Sequence, residues 1–251
     1  MKRNPLLFIG GLDPSAGAGI LADAKTAEQC LCYGVAVATA LTYQTDMDFF
    51  GLQWHTKEQV VAQMDPLLGR FDIKIAKISF VQNLEFLSFL VEHLQAQRPQ
   101  IKIVWDPIVS TSTGFMLHDN FEHEMLASIL EKLFLVTPNF PEIRRLFPFS
   151  TDEMQAAQKL SERCAVLLKG GHAEGEFSTD YLFLNSERED FKHRRIKGGA
   201  KHGSGCVFGA ALCSALTHLQ LREAVPYAQK YIQQYLESDP SLLGFHAQEG
   251  A

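Results

Sequence analysis

No stretch of this sequence approaches the roughly 18 apolar residues in a row that a membrane span requires, so no bilayer crossing is expected. A disulfide framework is missing too. The five cysteines, Cys30, Cys32, Cys164, Cys206 and Cys213, leave one over if the others pair, and their spacing matches no known pattern. A reducing cytoplasm is the expected compartment. Positive charge is in deficit: 23 Lys and Arg stand against 29 Asp and Glu, a formal net charge of -6, which argues against nucleic acid or anionic membrane as a partner. The one basic cluster, Lys192-His193-Arg194-Arg195-Ile196-Lys197, reads as a solvated strand and the rim of an anion site. There is no linker-like or low-complexity tract and no internal repeat, so residues 1–251 are expected to form a single domain. A P-loop, G-x-x-x-x-G-K-[ST], is absent as well. Lys2-Arg3 before Leu6-Leu7-Phe8-Ile9 imitates a secretory leader, but the apolar run is short and Asp13-Pro14 interrupts it.

What is present is an alternation of strands and helices. Residues 6–10 read as a buried strand, 20–32 as a helix with Ala22, Ala24, Ala27 and Leu31 in its apolar pattern, and 35–42 as a second buried strand. Cys30 and Cys32, two apart on that helix, would not share a face and make a poor metal pair. Strand, glycine-rich loop, helix, strand is a βαβ start and implies a parallel sheet. Further strands are expected at 73–78, 101–105, 134–137 and 165–169, and helices near 57–68, 83–95, 122–132 and 152–162. A hairpin-like pair, 180–184 and 191–197, precedes two or more helices from residue 205 onward. The pattern predicts an α/β fold, a three-layer α/β/α sandwich with a mostly parallel central sheet.

In such a sheet the ligand crevice lies beyond the carboxyl ends of the strands. The unusual polar residues fall there: Gln44 and Asp46, Asp106-Pro107, Thr137-Pro138-Asn139, and Lys169-Gly170-Gly171-His172. The stretch Lys201-His202-Gly203-Ser204-Gly205-Cys206 leads into an apolar helix. Its glycines let backbone N–H groups approach an anion, and the helix start adds a positive dipole end. Cys206 at that start is expected to have a depressed thiol pKa and to serve as a proton acceptor. The alternative is a glycine turn with Ser204 as N-cap and Cys206 as a small buried hydrophobe. Gly17, Gly19 and Ala22 match a dinucleotide fingerprint, but Asp13-Pro14-Ser15 lengthens the loop and no acidic residue ends the next strand. The loop suits a grip on a polar small molecule, or a tight turn capped by Asp13. Asn139 and Glu142 read either as an ordinary helix cap or, with Asp106 joining Glu142, as carboxylates for a water-clad Mg²⁺. Lys169 is a point charge suited to phosphate, and His172 reads as a turn residue.

In this order the motifs resemble the hydroxymethylpyrimidine and phosphomethylpyrimidine kinases of thiamine synthesis, in the ribokinase superfamily. The segments are Gly11-x-Asp13-Pro14-Ser15-Ala16-Gly17-Ala18-Gly19-Ile20-x-Ala22-Asp23-x-Lys25-Thr26, Thr39-Ala40-Leu41-Thr42-x-Gln44-Thr45, Asp106-Pro107, Val136-Thr137-Pro138-Asn139-x-x-Glu142, Leu168-Lys169-Gly170-Gly171-His172 and His202-Gly203-Ser204-Gly205-Cys206. The resemblance implies a ribokinase-like fold and an ATP- and Mg²⁺-dependent kinase acting on a pyrimidine alcohol and its monophosphate, as a homodimer. It implies that Gln44 hydrogen-bonds the ring, with Gly11, Asp13, Ala18, Thr42, Phe80 and Ile108 shaping the pocket. It places Asn139, Lys169 and Gly171 near the nucleotide and Asp106 and Glu142 on the metal. Gly203, Ser204 and Gly205 would form the anion hole, with Cys206 as the base. Pyridoxal or pyridoxine kinase and a non-catalytic pyrimidine-binding module are the alternatives. The chain departs from the family pattern at Ala16-Gly17, usually Gly-Gly, and at Lys77-Ile78-Ser79-Phe80, usually Lys-Ile-Gly-Met. A third departure is Ser110-Thr111-Ser112-Thr113-Gly114, where an Ala-Lys/Thr-Ser-Gly run is usual.

Overall fold

Alternate residues of the first strand, β1 (Pro5–Leu12), go to opposite sides: Leu7 and Ile9 enter one hydrophobic cluster, Leu6 and Phe8 another. That two-residue period on a strand buried on both faces makes the sheet the middle layer. The computed structural model describes residues 3–108, 122–148, 150, 152–171, 175–185, 187–196 and 200–246. Helix α1 (Gly19–Gln29) follows β1, and strands β2 (Tyr33–Gln44) and β3 (Phe49–Trp54) follow α1. Next come α2 (Lys57–Arg70), β4 (Ile75–Ile78), α3 (Leu84–Gln97), β5 (Lys102–Trp105), α4 (His123–Leu130) and β6 (Leu135–Val136). The remainder is α5 (Phe140–Leu146), α6 (Glu153–Leu160), β7 (Ala165–Leu168), β8 (Phe177–Leu184), β9 (Glu187–Arg194), α7 (Ser204–Ala215) and α8 (Leu221–Glu237).

The strand order is β3-β2-β1-β4-β5-β6-β7-β8-β9. Pairs from β2 to β7 are parallel, while β3, β8 and β9 join antiparallel at the two edges. Helices α2 to α6 contribute to the cluster that holds Leu7 and Ile9, and α1, α7 and α8 to the one that holds Leu6 and Phe8. The expected three-layer α/β/α sandwich is therefore what forms. The chain leaves β1 toward β2 and returns to its other side at β4, so the sheet reverses direction between β1 and β4. Ligands of open α/β sheets bind above such a point.

Three details differ from the sequence reading. Edge strand β3, unpredicted, pairs with β2 across a bulge at Tyr43 and Gln44. Helix α1 stops at Gln29 because Leu31 takes a left-handed φ of 60°, so Cys30 caps the helix and Cys32 lies beyond it. The hairpin strands β8 and β9 begin earlier than expected and β9 ends at Arg194, and the basic cluster at its end is mostly solvent-exposed as far as Ile196. The Ser110–Gly114 departure, His172 and Lys197 lie outside the described residues. No described helix is long and apolar enough to cross a membrane.

Candidate active site

The first glycine-rich loop rises from the end of β1 and is organised by one carboxylate. Asp13 accepts hydrogen bonds from the backbone N–H groups of Ser15 (2.9 Å) and Ala18 (2.8 Å) and from the Ser15 hydroxyl (2.8 Å). His202 Nε2 lies 2.8 Å from its second oxygen. Burial alone would raise this carboxyl, and His202, Ser15 and Ala18 outweigh it and hold its pKa below the usual range. Asp13 is only 1% exposed, so its oxygens hold the loop in shape and, through His202, fasten it to the glycine-rich stretch 201–206 that forms a cradle at the start of α7. Ala16, where the family has glycine, stands at φ 59°, a conformation that costs a Cβ-bearing residue roughly 1–2 kcal/mol. Lys25 Nζ donates to the Ala16 carbonyl at 2.8 Å and steadies it.

The cradle meets this loop directly. Gly203 caps α7 at φ 75°, and a Cβ there would fall 2.1 Å from the Gly17 carbonyl oxygen. Only glycine fits both the conformation and the space. Ser204 is the first helical residue and not the cap, and no side chain caps this helix start, which leaves its end free to face an anion. After α8 the chain folds back over both loops. The His202 N–H donates to the Leu242 carbonyl at 3.0 Å, Lys201 Nζ donates to that of Ser241 at 2.6 Å, and Leu243 packs on Gly17.

Beneath α7 lies a buried run of charge. Lys77 on β4 contacts Asp23 at 2.8 Å and Asp106 at 3.6 Å, and Lys169 donates to Asp106 at 2.7 Å. Thr137 Oγ1 adds a 3.0 Å bond to Asp106. Burial opposes the charge on Lys77, but Asp23, Cys206 and Asp106 outweigh it and raise its pKa. Burial likewise opposes ionised Asp106, yet Lys169 and Lys77 keep its pKa low. A Cβ on Gly209 would come within 2.7 Å of Lys77 Cε, so this glycine in the apolar run of α7 makes room for the lysine.

The expected low thiol pKa at Cys206 is not what the structure gives. Cys206 is 6% exposed, and burial pushes it up to about 11, although Lys77 pulls the other way. The rule for helix starts presumes partial exposure, and here the Cys206 side chain is buried although Ser204 and Gly205 beside it reach the cleft.

Asn139 and Glu142 form a reciprocal capping box on α5: the Asn139 side chain accepts from the Glu142 N–H at 2.8 Å, and Glu142 from the Asn139 N–H at 2.7 Å. Burial pushes Glu142 up to about 7, with Asp106 adding to the rise and Lys169 opposing it. Among the described residues no group of three or more His, Cys, Asp or Glu is arranged to hold a metal. Asp106 and Glu142 nonetheless line the same cleft. Two hard carboxylates completed by water and phosphate oxygens are the donor set that Mg²⁺ takes, so the residues fit that ion.

Glu142→Gln tests this reading of the acid. An amide oxygen can keep the cap, while the buried charge disappears. An acid whose folded pKa is raised from 4.5 to about 7 opposes folding above pH 7, and the penalty fades as pH falls through 7 toward 4.5. Glu142 retains some exposure, so the variant should be more stable by about 1 kcal/mol at about pH 8 and equal near pH 4, in thermal melts.

One cleft gathers Gly11, Asp13, Ala18, Thr42, Gln44, Phe80, Ile108, Asp106, Asn139, Glu142, Lys169, Gly203, Ser204, Gly205 and Cys206. Gly171 is exposed and does not line it. The Thr42 hydroxyl donates to the Leu12 carbonyl at 2.9 Å and so ties β2 to the loop. Gly19, Lys201 and His202, which the sequence motifs contain without an individual role, also line the cleft, as does Phe49, which the sequence did not single out. For Lys77 a signal existed: a lysine within the apolar run Ile75–Ile78 has to be buried with partners.

An uncapped helix start beside buried lysines and carboxylates, above the reversal point of a parallel sheet, fits a phosphotransferase of the ribokinase-like class. Phosphomethylpyrimidine kinase is the family whose model matches residues 13–248, and the chain belongs to that family. It is 32% identical over 244 residues to the hydroxymethylpyrimidine/phosphomethylpyrimidine kinase of Aquifex aeolicus, covering 94% of this chain and 95% of that one. The crystal structure of phosphomethylpyrimidine kinase from Clostridium difficile 630 superposes with a TM-score of 0.78 at 27% identity, covering 94% of this chain and all of that one. The pyridoxal kinase of Staphylococcus aureus in complex with AMP-PCP and pyridoxal has a TM-score of 0.82 at 23% identity, covering 100% and 95%, and shares the fold.

Proposed function

We propose that this protein phosphorylates the hydroxymethyl group of 4-amino-5-hydroxymethyl-2-methylpyrimidine at the expense of ATP, and then the resulting monophosphate, in thiamine biosynthesis. The observation that carries the reading is the cradle at the start of α7, locked by Gly203 against the loop that shapes the pocket. This brings a ring site and a phosphate site into one cleft. Gln44, at the end of β2, presents an amide to the ring, and Gly11, Ala18, Phe80 and Ile108 enclose it. At the other end Asn139 and Lys169 face the nucleotide. The N–H groups of residues 203–206 stabilise charge on the phosphoryl group in flight. Cys206 takes the hydroxyl proton. Asp106 and Glu142 would hold Mg²⁺, which neutralises phosphate charge when bound. The reading includes a single catalytic domain, a homodimer and a cytoplasmic location.

The test is product formation by mass spectrometry, with purified protein, ATP and Mg²⁺, offered hydroxymethylpyrimidine, its monophosphate and pyridoxal in separate reactions. Mono- and diphosphorylated pyrimidine is the expected outcome. Product from pyridoxal alone would move the protein to vitamin B6 salvage, and ring binding without turnover would make it a pyrimidine-binding module.

A further inference from the structure

We infer that Trp54, on edge strand β3, is a specificity-determining residue that acts through Phe80 and sets a preference for a small pyrimidine alcohol over a bulkier pyridine alcohol. The inference rests on the function proposed above and names what chooses the ring at that site. Phe80 follows β4 at the carboxyl edge of the sheet, is 6% exposed and lines the ring end of the cleft. The Trp54 indole stacks on it with centroids 5.0 Å apart and planes 22° from parallel. Phe80 Cδ1 lies 3.2 Å from where a Cβ on Gly11 would stand. The Phe80 carbonyl accepts the Thr39 hydroxyl at 2.5 Å, which fixes the backbone below the ring.

Trp54 is in turn held opposite Ala40 by the β2–β3 ladder. Neighbouring Ser79 tightens the same corner, its hydroxyl 2.3 Å from the place a Cβ on Gly10 would take. The usual methionine of the family is an unbranched chain that adapts to what it meets. A phenyl ring pinned between Gly11 and an indole does not. It presents a flat wall in one place, which favours a ring that lies against it and excludes one that needs the wall to yield. Pyridoxal carries one ring substituent more than hydroxymethylpyrimidine, so the braced wall selects against it.

The experiment compares wild type with Trp54→Ala, Trp54→Leu and Trp54→Phe, using steady-state kinetics on both alcohols and on ATP, and calorimetric titration of hydroxymethylpyrimidine. Removing the brace should raise KM and Kd for the pyrimidine about three- to tenfold. The ratio of kcat/KM for pyrimidine to that for pyridoxal should shift about tenfold toward pyridoxal. KM for ATP should stay within about twofold, since the nucleotide end does not touch Trp54. Trp54→Phe, which keeps a stack, should stay near wild type. Should Trp54→Ala fail to fold, Trp54→Leu fills the edge strand without a ring and gives the same comparison with Trp54→Phe. An unchanged alcohol ratio, or a KM for ATP that rises in parallel, overturns the inference and leaves the kinase standing. Absence of both turnover and binding of either ring by wild type overturns the proposed function, and the inference with it.

Discussion

Exchange of Cys206 for Ala is expected to lower kcat about 10³-fold at about pH 9 but only about tenfold near pH 7, with KM for ATP little changed. The asymmetry follows from burial. With its pKa pushed up to about 11, the resting side chain is a thiol at neutral pH, and only about one molecule in 10⁴ carries the thiolate. A base must be deprotonated to act, so the wild-type rate should climb close to tenfold per pH unit across this window and reach no plateau. The Ala variant lacks the group and its profile should be flat. Measurement is kcat against pH at saturating ATP and Mg²⁺. A flat wild-type profile would remove Cys206 as base and leave it as a neutral filler at the start of α7. Phosphoryl transfer depends mostly on positioning and charge, so a kinase could survive that outcome.

The alternation of elements was legible because strands buried on both faces are largely apolar runs, as in β1 and β7. Edge strand β3 was not. Phe50 is 74% exposed and Gly51 sits at φ 155°, so Phe49-Phe50-Gly51-Leu52-Gln53-Trp54 shows no clean two-residue period. Of the site, the parts that depend on local backbone could be read: Gly203 needs a left-handed φ, and Asn139 and Glu142 are three apart on one turn. The parts that depend on distant pairing could not. Asp23 and Lys77 are 54 residues apart, and Asp13 and His202 are 189 apart. Nothing in either neighbourhood names its partner. Cys206 was misjudged for a related reason, since its position on a helix is a local property and its burial beside the Lys77 run is not.

Lys77→Met should destabilise the protein by about 3–5 kcal/mol, the usual cost of removing one partner of a buried pair. For a chain of this size that is a fall of roughly 6–20 °C in Tm. Asp23 Oδ1 is held by Lys77, and Oδ2 has no hydrogen-bond partner among the described residues. Burial already pushes Asp23 up to about 6 with the lysine in place, and removing that cation raises it further. An acid with a raised folded pKa opposes folding above that pKa, and the penalty is relieved as pH falls through it toward 3.8. The deficit of Lys77→Met should therefore be widest at about pH 8 and above, shrink as pH falls toward about 6, and change little below that, where Asp23 takes up its proton in both proteins. Asp106 suffers less, because Lys169 still holds it at 2.7 Å. Adding Asp23→Asn removes the stranded charge and should recover all but about 1–2 kcal/mol, a coupling that denaturant melts of the two single variants and the double variant would measure. Lys77→Arg should not rescue, since Gly209 packs directly on the lysine stem and a planar guanidinium needs more room there. If both Lys77→Met and Lys77→Arg melt like wild type at every pH, the Lys77–Asp23 pair does not stabilise the fold.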